Sequence, residues 1–290
     1  MTDIYITGST GAIGSRILPK LEEKNFRVTQ INLREPNNLA ENDLPSENSW
    51  FIHLASQNSK MSETDIQTEK KLIKSAIDIA KSQGVANFIF FSSSKLYPAT
   101  DDRNLSSENS DTLLSDPYSK GKMECELLAQ ASLENFKSVS IFRLAPVLLR
   151  SPSSNINLLF RMCEMLPFIP IFSEGNKNRR SFLSFKNLMH FLEVYLQRDL
   201  RGFNILNVCD HSPISTNSLI NNFLEEYRPN VSRILLPKFI ERFILSTPLI
   251  GKKLYSMYAN NVIDNSKIYD EIPDLKLMET SEAIKSYGLD

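Results

Sequence analysis

Two residues with complementary chemistry lie four positions apart in "DPYSKGKMECELL", namely Tyr118 and Lys122. The stretch is typical of the start of a helix, where this spacing places both side chains on one face. A free phenol has a pKa of about 10, and a neighbouring ammonium favours the phenolate and lowers that pKa. A tyrosine prepared in this way can exchange a proton with an alcohol or a ketone. Alone, the spacing is also compatible with an ordinary Tyr–Lys pair on the surface.

A run of serines earlier in the chain offers hydroxyl groups for the same chemistry. The segment "NFIFFSSSKLY" ends a strand-like apolar run with Ser92, Ser93 and Ser94. Ligands of open α/β sheets bind at the carboxyl ends of the strands. A hydroxyl at this position can therefore hydrogen-bond a reacting oxygen beside the tyrosine. The residues alone do not decide between the three serines, and serines that merely end a strand are the alternative.

A glycine-rich turn lies near the start of the chain, in "IYITGSTGAIGSRIL". Gly8 permits a tight turn, Gly11 lets the backbone approach a pyrophosphate, and Gly14 lets the following helix pack closely on the strand. The start of that helix directs free N–H groups at the phosphates. Because the pattern follows a strand and opens a helix, it predicts a dinucleotide site. A glycine-rich turn without a ligand is the alternative.

The elements that must position these groups alternate in type along the first half of the chain. Short apolar or β-branched runs predict strands, and helical periodicity fills the gaps between them. The predicted strands are Ile4–Thr7, Arg27–Asn32, Trp50–Leu54, Phe88–Ser92 and Ser138–Leu144, and the predicted helices are Ile13–Lys24, Ser62–Gln83 and Tyr118–Asn135. This order predicts an α/β fold with a doubly wound, parallel Rossmann sheet. The stretch between the second and third strands has room for only a loop and one turn of helix.

The texture of the sequence changes after Arg150, where loop-like residues and prolines become frequent. We interpret residues 1–150 as a dinucleotide-binding Rossmann domain. Residues 151–290 then form mainly a smaller C-terminal substrate-binding lid domain, with segments near 176–210 returning to the main sheet. In the second part, Ser215 or Thr216 is expected to cap a helix. The apolar face of that helix contains Leu219, Ile220, Phe223 and Leu224.

Composition and charge exclude several classes of function. The net charge of −1 gives no sign of a nucleic-acid partner. Three cysteines and three histidines are scattered without metal-ligand spacing, so we expect no metal site and no disulfide framework. We expect His53 to be a satisfied core histidine. No signal peptide or membrane span is visible, which favours the cytoplasm.

The spacing G-x-x-G-x-x-G after Thr7, together with the Tyr118/Lys122 pair, resembles the extended branch of the short-chain dehydrogenase/reductase enzymes. These include the NAD-dependent epimerase/dehydratase family. In that family the catalytic hydroxyl lies four residues before a tyrosine, and Tyr97 makes Ser93 the match. The resemblance implies a catalytic trio of Ser93, Tyr118 and Lys122, with Ser94 as a neighbouring substrate contact.

The resemblance also implies the remaining site residues. "WFIHLAS" resembles the segment in which Ala55 backs the cofactor, and "RLAPV" resembles the segment whose backbone meets the nicotinamide end. The implied cofactor contacts are Gly8, Gly11, Ala12, Ile13, Gly14, Ala55, Tyr118, Lys122, Pro146 and Val147. Asn155 and Arg180 match positions near a sugar diphosphate. Lys186 stands where the family usually has an aspartate, and Pro98 stands where it usually has a glycine.

The end of the second predicted strand, "INLRE", bears on the choice of cofactor. A carboxylate in this position binds the free 2′-hydroxyl of NAD, whereas a nearby arginine accommodates the 2′-phosphate of NADP. Here Asn32 occupies the place of the acid, and Arg34 follows two residues later. This pattern favours NADP(H). NAD(H) stays possible if a shift in register brings Glu35 inward.

The resemblance is strongest to 4-ketoreductases and 4-epimerases that act on UDP-linked sugars for bacterial surface polysaccharides, including lipopolysaccharide. We therefore expect NADPH-dependent reduction of a C4 keto group on a nucleotide sugar. An NAD-dependent 4-epimerase is the alternative, and a non-catalytic dinucleotide sensor is a third reading. A dehydratase would want an acidic pair where Ser94 and Lys95 stand.

The resemblance allows a homodimer formed through the helices Ser62–Gln83 and Tyr118–Asn135. One further segment, Arg233–Tyr258, mixes apolar and basic residues in the manner of a membrane-surface helix. Because Pro237 and Pro248 interrupt it, we expect no membrane contact.

Overall fold

A computed structural model of the chain describes residues 2–34, 45–56, 61–99, 105–150, 155–247 and 257–287, without the side chains of Asn155 and Glu174. The strands are β1 (Asp3–Thr7), β2 (Arg27–Ile31), β3 (Ser49–His53), β4 (Asn87–Ser93), β5 (Leu105–Ser106), β6 (Ser138–Leu144), β7 (Val147–Leu148), β8 (Phe168–Ile171), β9 (Leu183–Ser184), β10 (Gly202–Val208), β11 (Ser232–Leu235) and β12 (Val262–Ile263). The helices are α1 (Gly14–Glu23), α2 (Glu63–Ser82), α3 (Pro117–Ala131), α4 (Asn155–Met165), α5 (Phe185–Tyr195), α6 (Thr216–Tyr227), α7 (Lys238–Ser246), α8 (Ser266–Glu271) and α9 (Thr280–Ala283).

Six parallel strands form the central sheet in the order β10-β6-β4-β3-β1-β2. The predicted strands and helices of the first half are confirmed to within a few residues. From β1 the chain adds β2 on one side, and it then adds β3, β4, β6 and β10 on the other side. The switch point, where ligands of such sheets bind, therefore lies between β1 and β3. The predicted short connection between β2 and β3 falls largely on residues 35–44, which lie outside the described part of the chain.

Helices cover both faces of the sheet, and this explains why the central strands β3, β4 and β6 are buried along almost their whole length. Side chains alternate between the faces along a strand. On β4, Ile89 and Phe91 therefore join one core cluster, together with residues of α1 and α5. Phe88 and Phe90 join the cluster under α2 and α3. The fold class, a doubly wound parallel Rossmann sheet, is confirmed.

A third apolar cluster lies around α4 and α6, and all its members come after residue 147. Phe160 and Phe223 stack at its centre with ring centroids 4.3 Å apart. Ser215 caps α6 by accepting a hydrogen bond from the Ser218 N–H, which decides between the two predicted caps. β10, by contrast, pairs with β6 at the edge of the main sheet. The division into two domains remains a prediction.

Candidate active site

The glycine turn connects β1 to α1 and is shaped by close backbone contacts. Gly8 has φ +72°, a conformation that other residues rarely adopt. A Cβ atom on Gly14 would lie 2.2 Å from the carbonyl oxygen of Gly8, so only glycine lets α1 start this close to the turn. Gly11 and Ala12 are exposed and Ile13 is half-buried. The backbone is thus open to a ligand at the start of α1, and it fits a pyrophosphate.

The end of β3 forms the floor of this turn. A Cβ atom on Gly8 would lie 2.5 Å from the Ala55 nitrogen, which puts Ala55 directly against the turn. His53 lies beneath, and its Nδ1 shares a 2.8 Å hydrogen bond with Thr7 Oγ1. Its Nε2 is buried without a partner among the described residues. Burial, followed by the charge of Lys122, lowers the pKa of His53 to about 3, so this ring is neutral near pH 7.

The three candidate serines have different surroundings at the end of β4. Ser93 is the last residue of the strand and is half-exposed, and its Oγ accepts a 3.2 Å hydrogen bond from the Lys95 N–H. Ser94 is buried. Ser92 is also buried and donates to the Glu126 carboxylate at 2.5 Å. Ser93 is therefore the serine whose hydroxyl lies open to a ligand.

Tyr118 and Lys122 lie in the first two turns of α3. The Asp116 side chain caps this helix and accepts a hydrogen bond from the Ser119 N–H at 2.9 Å. Lys122 is buried, and its Nζ donates to the Phe91 carbonyl oxygen at 3.1 Å. The same Nζ lies 5.9 Å from the centre of the Tyr118 ring. Among the described residues, none hydrogen-bonds the Tyr118 hydroxyl, which leaves it open to a substrate.

Lys95 links Ser93 to Tyr118 and was not predicted as a site residue. Its backbone N–H binds Ser93 Oγ, and its ammonium lies 5.1 Å from the centre of the Tyr118 ring. The hydroxyl of Ser93 and the ring of Tyr118 are therefore brought to the same end of β4. The available signal was its position two residues after Ser93, but nothing in the sequence fixed where the side chain points.

A buried ion pair that was not predicted from the sequence contacts Ser92, next to Ser93, and Tyr97. Arg143 on β6 binds Glu126 on α3 at 2.7 Å and the Tyr97 hydroxyl at 3.0 Å. Tyr97 in turn donates to Asn207 on β10 at 2.8 Å. Burial opposes the charge on Arg143, but the hydrogen bonds to Glu126 outweigh it and raise the guanidinium pKa. Glu126 lies four residues after Lys122 on α3, but this spacing could not indicate a partner on β6.

The residues after β6 lie at the same edge of the sheet. Leu144 ends β6 opposite Ser93 in the register of the sheet. Pro146 and Val147 follow directly and are half-buried. The Pro146 carbonyl oxygen accepts from the Leu183 N–H at 3.1 Å, and this contact fixes the segment as it leaves the sheet. The structure thus brings the predicted nicotinamide-side segment next to Ser93.

Asn32 and Arg34 lie directly after β2, and both are exposed. The Asn32 side-chain oxygen accepts the Arg34 N–H at 3.0 Å, which closes a tight turn. The side-chain oxygen of Asn32 is therefore occupied by a backbone N–H of the same turn, while the Arg34 side chain faces solvent. Glu35 lies outside the described residues.

The two predicted diphosphate contacts lie beyond the sheet. Asn155 opens α4, and its side chain is outside the description. Arg180 is held by backbone bridges to Ile214 and Asn261, and its Nη1 donates to the Ala259 carbonyl oxygen at 2.9 Å. Burial lowers the pKa of Arg180 to about 10, so the guanidinium still carries its charge near pH 7. No described contact joins either residue to Ser93, Tyr118 or Lys122.

Thiol and metal chemistry find no support in the described part of the chain. The three cysteines are buried, and burial raises the pKa of Cys125 and of Cys163 to about 12. No group of histidine, cysteine, aspartate and glutamate residues there could hold a metal ion. No described helix is long and apolar enough to cross a membrane.

Comparisons with solved structures find the same fold in several nucleotide-sugar enzymes. UDP-N-acetylglucosamine 4-epimerase from Bacillus cereus superposes with a TM-score of 0.73 at 15% identity, covering 98% of this chain and 97% of that one. The Bordetella bronchiseptica enzyme WbmH in complex with NAD+ gives 0.71 at 15% identity, covering 99% and 97%. dTDP-glucose 4,6-dehydratase from Bacillus anthracis str. Ames in complex with NAD gives 0.69 at 13% identity, covering 99% and 95%. At these identities the likeness shows the fold. A comparison with curated protein sequences finds no match.

The family itself is shown by the sequence profile of the NAD dependent epimerase/dehydratase family, which matches residues 4–209. That range includes the glycine turn, the serine run, the Tyr118/Lys122 pair and Arg180. The chain is therefore an enzyme of the NAD-dependent epimerase/dehydratase family, within the extended short-chain dehydrogenase/reductase enzymes.

Proposed function

We propose that this enzyme reduces a keto group, at C4, on a nucleotide-linked sugar and uses NADPH. The main support is the assembly at the end of β4. There Lys95 links the half-exposed Ser93 to the Tyr118 ring, and the buried ammonium of Lys122 lies 5.9 Å from the centre of that ring. A non-catalytic sensor has no need for this arrangement.

Each member of the trio has a distinct role. Tyr118 transfers its hydroxyl proton to the developing alkoxide of the sugar. Lys122 favours the tyrosinate left behind, and its hydrogen bond to the Phe91 carbonyl oxygen fixes its place. Ser93 hydrogen-bonds the same sugar oxygen and holds it beside Tyr118. When bound at the glycine turn, the nicotinamide dinucleotide supplies the hydride.

The preference for NADPH rests on the end of β2. Asn32 is uncharged and engaged with its own turn, and Arg34 is exposed beside it. An arginine fork matches the oxygens of a 2′-phosphate. Substituting Arg34→Ser should raise the KM for NADPH about tenfold and leave the KM for NADH unchanged. An equal change for both cofactors would remove Arg34 from this role.

We further propose that the substrate is UDP-linked, with Arg180 on the diphosphate and Asn155 close by. UDP-sugars are named with several structural neighbours, including a UDP-glucose 4-epimerase from Thermotoga maritima solved with UDP-glucose. Arg180 lies within the family match and keeps its charge although partly buried, as suits a phosphate ligand. The same proposal includes a product that is a precursor of a surface polysaccharide and an enzyme that is located in the cytoplasm.

A second candidate is an NAD-dependent 4-epimerase that keeps its cofactor bound. It is favoured by the neighbours, since UDP-N-acetylglucosamine 4-epimerase and the NAD+ complex of WbmH share the fold over nearly the whole chain. The same three residues serve both reactions. The two differ in whether reduced cofactor is consumed.

One experiment separates the candidates. The purified enzyme is denatured and its released cofactor identified, and fresh enzyme is then mixed with a UDP-4-keto-6-deoxy sugar and NADPH. The reductase should consume one NADPH per sugar reduced. Tightly held NAD+, no net NADPH consumption, and interconversion of UDP-hexoses supplied in a parallel assay would establish the epimerase instead.

A further inference from the structure

The strand β11 and the helix α7 that follows it carry a surface of exposed apolar and basic side chains. Its residues are Ile234, Leu235, Lys238, Phe239, Arg242 and Phe243, and we name it the β11–α7 surface. Phe239 is 73% exposed and Phe243 is 72% exposed. Burying a phenylalanine side chain normally stabilises a protein by about 1.5–3 kcal/mol. Two such side chains in solvent on one short helix therefore require an explanation.

The orientation of α7 is fixed by its acid. Glu241 is buried, and its two carboxylate oxygens accept from the backbone N–H of Ser173 at 2.5 Å and from Ser173 Oγ at 2.7 Å. Turning the helix to bury Phe239 and Phe243 would break both hydrogen bonds and expose the site that holds Glu241. The helix is thus held with its carboxylate inward and its aromatic rings outward.

The charges on the outer face are all positive. Phe239 and Phe243 are one turn apart, and Lys238 and Arg242 form a parallel row beside them at the same spacing. Neither basic residue forms an ion pair with a described residue. Arg233, at the start of β11, does have an acid near it, since it lies 3.8 Å from Glu225.

In the sequence, Pro237 and Pro248 count against a membrane-surface helix, but in the structure Pro237 does not interrupt α7. Pro237 occupies the residue before the helix, where proline does not break it. Pro248 lies beyond Ser246, the last residue of α7, and outside the described residues. The helix is therefore complete between the two prolines.

We propose that the β11–α7 surface binds the surface of a membrane that contains anionic lipids. Aromatic rings enter the boundary between headgroups and acyl chains, and basic side chains pair with lipid phosphates. Because the only acid of α7 is buried, no carboxylate on this helix opposes the anionic surface. α7 would lie in the plane of the membrane without crossing it, and the proposal does not depend on the reaction catalysed.

The test is flotation of the full-length enzyme with phosphatidylglycerol/phosphatidylcholine vesicles and with pure phosphatidylcholine vesicles. The wild type should float with the anionic vesicles at low salt and lose most of this binding at high salt. The double substitution Phe239→Ser/Phe243→Ser should weaken binding about tenfold or more. Lys238→Glu/Arg242→Glu should do so by a similar factor.

Matched controls are available on the sheet side of the molecule. Leu127→Ser removes an exposed apolar side chain from α3, and Lys71→Glu/Lys74→Glu reverses two exposed charges on α2. Both controls should bind vesicles as the wild type does. Equal loss in the controls, or no binding of the wild type at low salt, would overturn the proposal. So would a dimer in solution that Phe239→Ser/Phe243→Ser converts to monomer without any vesicle binding, because the surface would then be a subunit contact.

Discussion

The carboxyl end of β4 and the β11–α7 surface use their side chains in opposite ways. At the sheet, the charged groups of Lys122, Glu126 and Arg143 are buried and each has a defined partner. On α7, the acid is buried while two phenylalanines face solvent. Burying charges costs free energy unless they are paired, and exposing large apolar groups forgoes free energy. The sheet side thus keeps its buried charges paired, whereas α7 forgoes free energy in the direction that the proposed membrane binding requires.

The largest effect should come from removing the Tyr118 hydroxyl. Tyr118→Phe takes away the proton donor, so kcat should fall by about 10²–10⁴-fold, while the binding of dinucleotide, measured by fluorescence titration, should persist. Tyr269→Phe removes a half-buried phenol outside the site and should keep full activity. Normal turnover in Tyr118→Phe would assign the chemistry to another group.

The buried ion pair tests whether the sheet side depends on paired charges. Arg143→Met leaves Glu126 buried without its cation, and the free energy of unfolding should fall by about 3–5 kcal/mol. Denaturant titration measures the change. Lys120→Met breaks the exposed pair of Lys120 with Glu63 and should cost no more than about 1 kcal/mol. Similar losses in the two variants would contradict the distinction between buried and exposed pairs.

His53 should make stability depend on pH. Its pKa is about 3 in the folded state and 6.5 in a model compound, so the unfolded chain binds the extra proton first as the pH falls. The free energy of unfolding should therefore decrease below pH 6.5, by up to about 1.4 kcal/mol per pH unit from this residue. Above pH 6.5, titration of His53 should not change the free energy of unfolding.

The matched variant for this prediction is His53→Gln, compared with wild type by thermal unfolding between pH 4.5 and pH 7. Other titrating groups are common to both proteins and cancel in the difference. The variant should be less stable near pH 7, since it disturbs a buried contact with Thr7, but its stability should fall less steeply with acid. Parallel pH profiles would mean that the pKa of His53 is the same in the folded and the unfolded protein.

The smallest effect on stability is expected at the β11–α7 surface. Phe239→Ser/Phe243→Ser removes two rings that are already in water, so the free energy of unfolding should change by no more than about 0.5 kcal/mol. Thermal unfolding without vesicles gives the measurement. A loss of several kcal/mol would show that these rings are packed within the folded chain and would undermine the β11–α7 surface.

Much of the fold and of the geometry of the candidate site could be predicted because the signals are local. A strand, three spaced glycines and a helix within one short segment fix the turn at Gly8, and spacing of four on α3 brings Tyr118 and Lys122 together. The carboxyl ends of parallel strands lie at one edge of the sheet, so Ser93 at the end of β4 and Pro146 after β6 had to lie close together. The apolar periodicity of α6 likewise anticipated its buried face.

The tertiary structure alone decided which groups are buried with which partners. Arg143 and Glu126 are 17 residues apart in the chain, and Glu241 meets Ser173 across 68 residues. Sequence periodicity cannot register such pairs, because the free energy of burying a charge depends on the partner that folding brings to it. The sequence by itself determined the Rossmann scaffold and the residue types of the candidate site. Long-range packing decided that Ser93 stays open while Ser94 is buried, and that α7 turns its phenylalanines outward.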